Sequence, residues 1–372
     1  MRDYQICNFC VMDTSDSEIV FDSYGICNNC RNARSIWDKV IFPDSYQNWV
    51  KDIVFNRSPN TVYDGILGLS GGVDSSYLLH MLVDSGINPL IVHVDAGWNS
   101  QDATNNIYKL VNKLNLHLET IVIDWESLKQ LQIAYLRSGL KNQDVPQDHS
   151  FFSSIYKMAY TKKIKNIFVG TNWATESILP RNWAESAMDN KQIISVMEKF
   201  EMQNNLSFEL IDPMWLFYNS RIRKNFVIHD PLNKIHYKKN IAINTLKNVY
   251  DWKDYGGKHD ESRFTTYYQE VYLPNRFGIV KKRAHLSSLI VNGEISRQEA
   301  LQNLEERTNS EMKIQNIRKY IADKLDISVD QLHEFEKIDY CHLNEFKKST
   351  LKLLVIKVLT KLRSYQKKYL KT

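Results

Sequence analysis

The stretch "LGLSGGVDSSYLLHML", residues 67–82, constrains the fold more than any other part of the chain. An apolar, strand-like segment runs into Ser70-Gly71-Gly72, and beyond Val73 the residues Tyr77, Leu78, Met81 and Leu82 share one helical face. The two glycines lack side chains, so an anion can approach their backbone N–H groups. The helix that opens near Asp74 turns its positive end to the same place. Ser70, Ser75 and Ser76 add hydroxyl donors. The loop therefore reads as a phosphate cradle, but it has neither the G-x-x-x-x-G-K-[ST] of a Walker loop nor the G-x-G-x-x-G of a dinucleotide turn.

The surrounding periodicity places this loop in a sheet. "YDGILGLS", "NPLIVHVDAG", "HLETIVID" and "KNIFVGTN" read as strands, while "ATNNIYKLVNKLNL" and "SFFSSIYKMAYTKKI" read as helices between them. Strands alternating with helices at this spacing imply a parallel sheet covered on both faces, with ligands at the carboxyl ends of the strands. Ser70, Asp95 and Gly170-Thr171-Asn172 stand at those ends and are expected to face one crevice.

The second strong signal is cysteine. Four of five lie in the first thirty residues as Cys7-x2-Cys10-x16-Cys27-x2-Cys30. Each x2 spacing lets two sulfurs from one tight turn share an ion, and two such turns complete a tetrahedron around zinc. An iron–sulfur cluster or a redox pair is the alternative. Disulfides are disfavoured by the compartment, since "MRDYQICNFC" has no apolar leader and no run of about 18 apolar residues offers a membrane span. The expectation is a cytoplasmic protein with a structural zinc, because four ligands leave no open position. Cys341 reads as a plain core or surface thiol.

Charge argues against a nucleic-acid partner. The net charge is +5, yet the segment from Glu345 to Thr372 carries nine Lys or Arg against one Glu, which leaves the remainder slightly acidic. The aromatic clusters "FTTYYQEVYLP" and "MWLFYN" have no basic residues interleaved and read as packing rather than base-stacking platforms. "SRQE" at 296–299 reads as a capping box opening a helix. The basic tail reads as a helix packed on its own domain with a solvated lysine face.

Ser70-Gly71-Gly72-Val73-Asp74-Ser75 resembles the PP-loop, S-G-G-x-D-S, of the ATP pyrophosphatase superfamily. That resemblance implies a loop that holds the pyrophosphate of ATP while a substrate oxygen attacks the α-phosphate, with magnesium on the leaving group. Read together with "CNFCVMDTSDSEIVFDSYGICNNC" and "DWKDYGGKHDESRFTTYYQEVYLPNRFGIVKKRAHLSSLIVNGEISRQEAL", the chain is similar to the N-acetyl sugar amidotransferases of bacterial surface-polysaccharide and flagellin-glycan pathways. The likeness runs from Cys7 to about Leu301. It implies that an acetamido group on an activated or acidic sugar becomes an acetamidino group through an O-adenylated intermediate. No glutaminase nucleophile is apparent in the chain, so ammonia is expected from a separate class I glutaminase subunit. The competing reading is a PP-loop enzyme that adenylates a tRNA base. Its thiolating branch needs a cysteine near ATP, and none lies between Arg31 and Tyr340.

The resulting expectations are specific. The fold class is α/β, a parallel-sheet PP-loop domain with an N-terminal zinc knuckle and a mainly helical C-terminal region. The regions are 1–57 for the zinc-binding part, 58–235 for the PP-loop domain and 236–372 for the helical part that completes the substrate site. ATP is assigned to Ser70, Gly71, Gly72, Asp74, Ser75, Ser76, Asp95, Gly170, Thr171 and Asn172. Asp74, as a magnesium-holding carboxylate, Lys258, as a phosphate partner, and Glu261 are the catalytic candidates. His259, Glu261 and Arg263 suit substrate carboxylate recognition or proton handling, and Asp148 and His149 complete the substrate set, although Asp148 precedes a helix where capping is an equal reading.

Overall fold

Five strands form one sheet in this computed structural model, which describes residues 3–40, 45–56, 61–183, 185–202, 205–255, 261–306, 311–338, 346–350, 352 and 354–358. They are β1 (Gly65–Gly68), β2 (Pro89–Asp95), β3 (Leu118–Val122), β4 (Asn166–Phe168) and β5 (Val227–His229). Every pair is parallel, and the spatial order is β3-β2-β1-β4-β5. The chain leaves β1 toward one edge and later returns to lay β4 on its other side. The crevice between the carboxyl ends of β1 and β4 is thus the switch point where such sheets bind ligands. The three-residue β5 is too short to show a period and was not anticipated.

Helices α1 (Asn28–Val40) and α2 (Tyr46–Phe55) precede the sheet. The crossovers are α3 (Val73–Asp84), α4 (Gln101–Lys113), and the consecutive pair α5 (Trp125–Ser138) and α6 (Val145–Thr161). Short helices α7 (Trp173–Glu176), α8 (Asn190–Lys199) and α9 (Pro213–Phe217) follow β4, and α10 (Lys239–Tyr250) follows β5. The C-terminal region contains α11 (Arg263–Tyr267), α12 (Leu273–Phe277), α13 (Lys281–Val291), α14 (Arg297–Glu306), α15 (Glu311–Leu325) and α16 (Val329–Lys337). A π-helical turn, Tyr268–Tyr272, joins α11 to α12. Local chemistry sets the ends of these elements. Ser100 caps α4 by accepting from Ala103 N–H at 3.2 Å, and α5 stops at Gly139 in the left-handed region. The box expected at 296–299 is formed, with Ser296 N–H donating to Glu299 at 2.7 Å and Glu299 N–H to Ser296 Oγ at 3.1 Å.

Alternation along the strands sends side chains to two cores. Ile66, Val92, Val94 and Ile167 face α5 and α6, whereas Leu67, Leu69, Ile91 and Phe168 face α3, α4 and α10. Each fully buried side chain of this kind contributes roughly 1.5–3 kcal/mol. The first core continues into the N-terminal knuckle, where Val11 and Met12 pack in the same cluster as Ala284, Leu286 and Ala300 of α13 and α14. Among the described residues, no helix is long and apolar enough to cross a membrane. The fold is the α/β parallel sheet with an N-terminal four-cysteine knuckle and a mainly helical C-terminal region.

Candidate active site

The loop after β1 is held open by two glycines with different duties. Gly71 has φ +83°, and a Cβ there would stand 2.4 Å from the Ala103 carbonyl oxygen, so both conformation and space exclude a side chain. Its own carbonyl accepts from Trp252 Nε1 at 3.2 Å and from Tyr255 OH at 3.1 Å. Gly72 is the extended cap that starts α3. Ser70 Oγ and Ser75 Oγ lie 3.1 Å apart across the turn. Behind them Gly170 brings the end of β4 close to α3, since a Cβ at that position would meet Ser75 N at 3.0 Å. Tyr237 OH donates to Asp74 Oδ1, and burial together with the Asp74 charge pushes that phenol well above its ordinary value, so it stays a donor.

The loop opens into a cavity of about 370 Å³. One part is an apolar slot between Gly68, Val92 and Val94 of the sheet and Phe151, Phe152 and Ile155 of α6. Gly68 permits the slot's narrow wall, as a Cβ there would lie 2.6 Å from Ile155 Cδ1. The opposite end is polar and comes from α6 and the C-terminal region. Gln147 Nε2 donates to Asp144 Oδ1 and to Thr265 Oγ1, both at 2.7 Å, and Ser262 Oγ donates to Gln147 Oε1 at 3.0 Å. Asp144, Gln147, Ser262 and Thr265 are all buried yet line the cavity, with Asp148, Gln269 and Lys281 beside them. Burial pushes the Lys281 ammonium below the usual lysine range, while Asp144 and Asp148 oppose that shift.

A backbone clip brings the C-terminal wall to the loop. Asn99 and Ser262 form an antiparallel bridge in which Ser100 N–H donates to the Glu261 carbonyl at 2.8 Å and Arg263 N–H to the Trp98 carbonyl at 2.9 Å. Glu261 consequently stands over the cradle, its Oε1 only 3.2 Å from where a Cβ on Gly72 would be. Asp74 and Glu261 both line the cavity beside this loop, and their carboxylates are a donor set that fits a hard divalent cation.

The candidates read from the sequence divide clearly. Ser70, Gly72, Asp74, Ser75, Gly170, Thr171, Asp148 and Glu261 line the cavity, and Gly71 shapes it from behind. Asp95 does not line it; its carboxylate accepts from Gly97 N–H at 2.8 Å and Asn99 Nδ2 at 3.0 Å and so fixes the turn that carries the clip. Asn172 is the cap of α7, accepting from Thr175 N–H at 2.9 Å. Ser76 is fully buried on α3, away from the lining. His149 as a substrate ligand is corrected. The ring is fully buried, Nδ1 bonds the Ala187 carbonyl at 2.7 Å and Nε2 accepts from Ile211 N–H at 2.9 Å, so both nitrogens are spent on the fold. Arg263 is exposed beside the Tyr320 ring rather than in the cavity. Lys258, His259 and Cys341 lie outside the described residues. Gln147, Thr265, Gln269 and Lys281 were missed, and no local pattern marks them.

The knuckle is a separate site. The sulfurs of Cys7, Cys10, Cys27 and Cys30 all lie within 4.8 Å of one another and are buried. Backbone N–H groups of Phe9, Cys10, Cys27 and Cys30 point at sulfur, which suits thiolates. Four closely set sulfurs fit a tetrahedral metal. The knuckle is clamped to the C-terminal helices by Arg297, whose Nε donates to the carbonyls of Cys7 at 3.0 Å and Cys10 at 3.1 Å, and by the Arg283–Asp13 pair at 3.0 Å.

Comparison with known proteins adds a family for one part of the chain. Residues 261–363 match the family described as LPS biosynthesis protein WbpG-like, C-terminal domain. No curated protein matches the chain. Similar solved structures include a U34-tRNA thiolase, NcsA, from Methanococcus maripaludis with its [4Fe-4S] cluster (14% identity, 83% of this chain and 91% of that one, TM-score 0.35). Another is an NH3-dependent NAD synthetase from Campylobacter jejuni (14% identity, 60% and 99%, TM-score 0.30). A third is an NAD+ synthetase from Burkholderia pseudomallei (14% identity, 61% and 100%, TM-score 0.28). The matched segment opens at Glu261, the residue that leans over the loop. The glycine loop after β1 and residues of the segment that matches the WbpG-like C-terminal domain thus line one cavity, with the four-cysteine knuckle packed outside it.

Proposed function

We propose that the protein is an ATP-dependent amidotransferase that converts an acetamido group of an activated or acidic sugar into an acetamidino group, in lipopolysaccharide or a related surface-glycan pathway. The observation that carries this reading is that the phosphate cradle and residues of the WbpG-like segment line the same cavity. An amide oxygen is a very poor leaving group, and attaching AMP to it makes displacement by ammonia feasible. A cradle that retains pyrophosphate next to a polar pocket suits that sequence of events.

In this reading the apolar slot takes the adenine, and Ser70, Gly72 and Ser75 hold the phosphates. Asp74 and Glu261 would hold magnesium, which when bound offsets the charge growing on pyrophosphate. The buried network of Asp144, Gln147, Ser262 and Thr265 presents fixed acceptors and donors to sugar hydroxyl or acetamido groups. The knuckle would hold zinc in a structural role. Ammonia would come from a separate class I glutaminase in the bacterial cytoplasm.

The test is pyrophosphate release from ATP by purified protein with ammonium chloride, across diacetamido nucleotide sugars, nonulosonic acids and bulk tRNA, with Asp74→Asn as control. Release that depends on one sugar, with a product about one mass unit lighter as oxygen is exchanged for NH, is the expected result. Release that depends only on tRNA would replace this reading with base adenylation.

A further inference from the structure

Ammonia addition needs a proton acceptor. As the nitrogen of ammonia bonds to the activated amide carbon, it must give up a proton, and the product amidine carries a positive charge at neutral pH. From the geometry at the polar end, and resting on the amidotransfer reading above, we infer that Lys281 accepts this proton while Asp144 and Asp148 hold the positive charge of the product.

Lys281 sits in the first turn of α13 and lines the cavity. Its ammonium is 5.1 Å from the Tyr268 ring centroid, and the Asp144 and Asp148 carboxylates at the start of α6 line the same cavity. The neighbouring cations of its own helix are engaged elsewhere: Lys282 bonds the Asn303 carbonyl, and Arg283 pairs with Asp13 at 3.0 Å and bonds the Val11 carbonyl. Among the described residues the cavity has one other lysine, Lys239, at the start of α10. A lysine meant to capture an anionic substrate would gain little from two flanking carboxylates, which neutralise it before any ligand arrives. The same pair favours a site through which protons and cations pass. Burial works against the carboxylates here: they favour the ammonium, while burial lowers the lysine toward the range where the free amine is available.

The step balances. The adenylated imidate enters with its amide N–H proton still in place and so carries a positive charge on nitrogen. The lone pair of ammonia forms the C–N bond, one N–H bond of the added nitrogen breaks and its proton goes to Lys281 Nζ. The C–O bond to AMP breaks with its electron pair staying on the phosphate oxygen, leaving the amidinium. Adenylation by the amide oxygen precedes this and draws on no proton acceptor at the polar end.

The two half-reactions are measured separately on the full-length protein. Exchange of labelled pyrophosphate into ATP, with the sugar but no ammonium, reports adenylation, and amidine formation with ammonium chloride reports the complete reaction. Lys281→Arg keeps the charge but cannot act as a base near neutrality. It should leave exchange within about threefold of wild type and lower amidine formation by about 10²–10⁴-fold. The rising limb of rate against pH, at fixed free ammonia, should vanish. Asp148→Asn removes a charge that raises the lysine's pKa, so in that variant the limb should move to lower pH. Wild-type amidine formation in Lys281→Arg, equal losses in both half-reactions, or an unmoved limb in Asp148→Asn would overturn the assignment. Wild-type protein without any sugar-dependent exchange would instead overturn the amidotransfer reading and take this step with it.

Discussion

The two walls of the cavity are built in opposite ways. The loop wall is one contiguous run, Ser70 to Ser75, whose shape comes from a positive-φ glycine and a helix start. The far wall is assembled from α6, α11, the π-helical turn and α13, with residues 144 and 281 brought together across the chain. In the proposed function, the nucleotide falls mainly to the first and the choice of sugar to the second, the wall that tertiary structure makes, which leans on the knuckle through Arg283 and Arg297.

The largest effect that separates the walls should come from the metal site. Cys27→Ser, or removal of metal by a chelator, takes away folding energy that structural thiolate sites supply directly, and the knuckle shares a core with α13 and α14. The expected result is loss of bound metal, a melting temperature lower by about 10 °C or more, and loss of turnover. ATP affinity should stay within about threefold, because the loop wall rests on the sheet. Calorimetric titration with ATP decides the point: if affinity collapses together with turnover, the walls are not independent.

Gly71→Ala attacks the other side. The left-handed conformation costs a side chain about 1–2 kcal/mol, and the added Cβ meets Ala103 backbone that cannot swing aside. ATP affinity should fall by about 100-fold, with a melting temperature lower by about 2–4 °C for each kcal/mol of strain. A variant that binds ATP normally would mean that the phosphates sit elsewhere.

The contrast also explains what could be read in advance. The cradle and the four cysteines were legible because their chemistry lies in short runs whose spacing is itself the constraint. The four strands carrying the sheet were legible from their apolar runs, while β5, with three residues, gave no period. Gln147, Thr265 and Lys281 are ordinary polar residues on three helices, and only the fold brings them to one pocket. His149 misled for a related reason: it adjoins Asp148 in sequence, but successive residues of a helix point about 100° apart, so one lines the cavity and the other is buried in the fold.

Thr265→Val sharpens the comparison on a smaller scale. The change is nearly isosteric and removes the hydroxyl that accepts from Gln147 at 2.7 Å and donates to Asp144 at 3.2 Å. It should cost about 1–3 kcal/mol of stability, since buried partners are left unpaired. Substrate KM should rise while pyrophosphate exchange at saturating sugar stays close to wild type. A change confined to ATP affinity would assign this network to the nucleotide instead.

The smallest expected effect is a pH dependence carried by His149. Burial holds this imidazole below its ordinary value, against a lesser upward pull from the Ala187 carbonyl and Asp189. Because Nε2 accepts from Ile211 N–H, the ring is neutral with its proton on Nδ1, and adding a second proton would break that bond. The unfolded chain takes up this proton near pH 6.5, whereas the folded chain resists it to lower pH. The stability that His149 contributes is therefore complete above about pH 6.5 and is lost as pH falls from there toward the depressed folded value. Urea midpoints measured from pH 8 to 5 should decline in wild type and decline less in His149→Gln, which cannot titrate. Since Asp148 is carried by the same turn of α6, sugar-dependent turnover should weaken over that range before ATP binding does. Equal acid sensitivity in both proteins would show that another group governs the far wall.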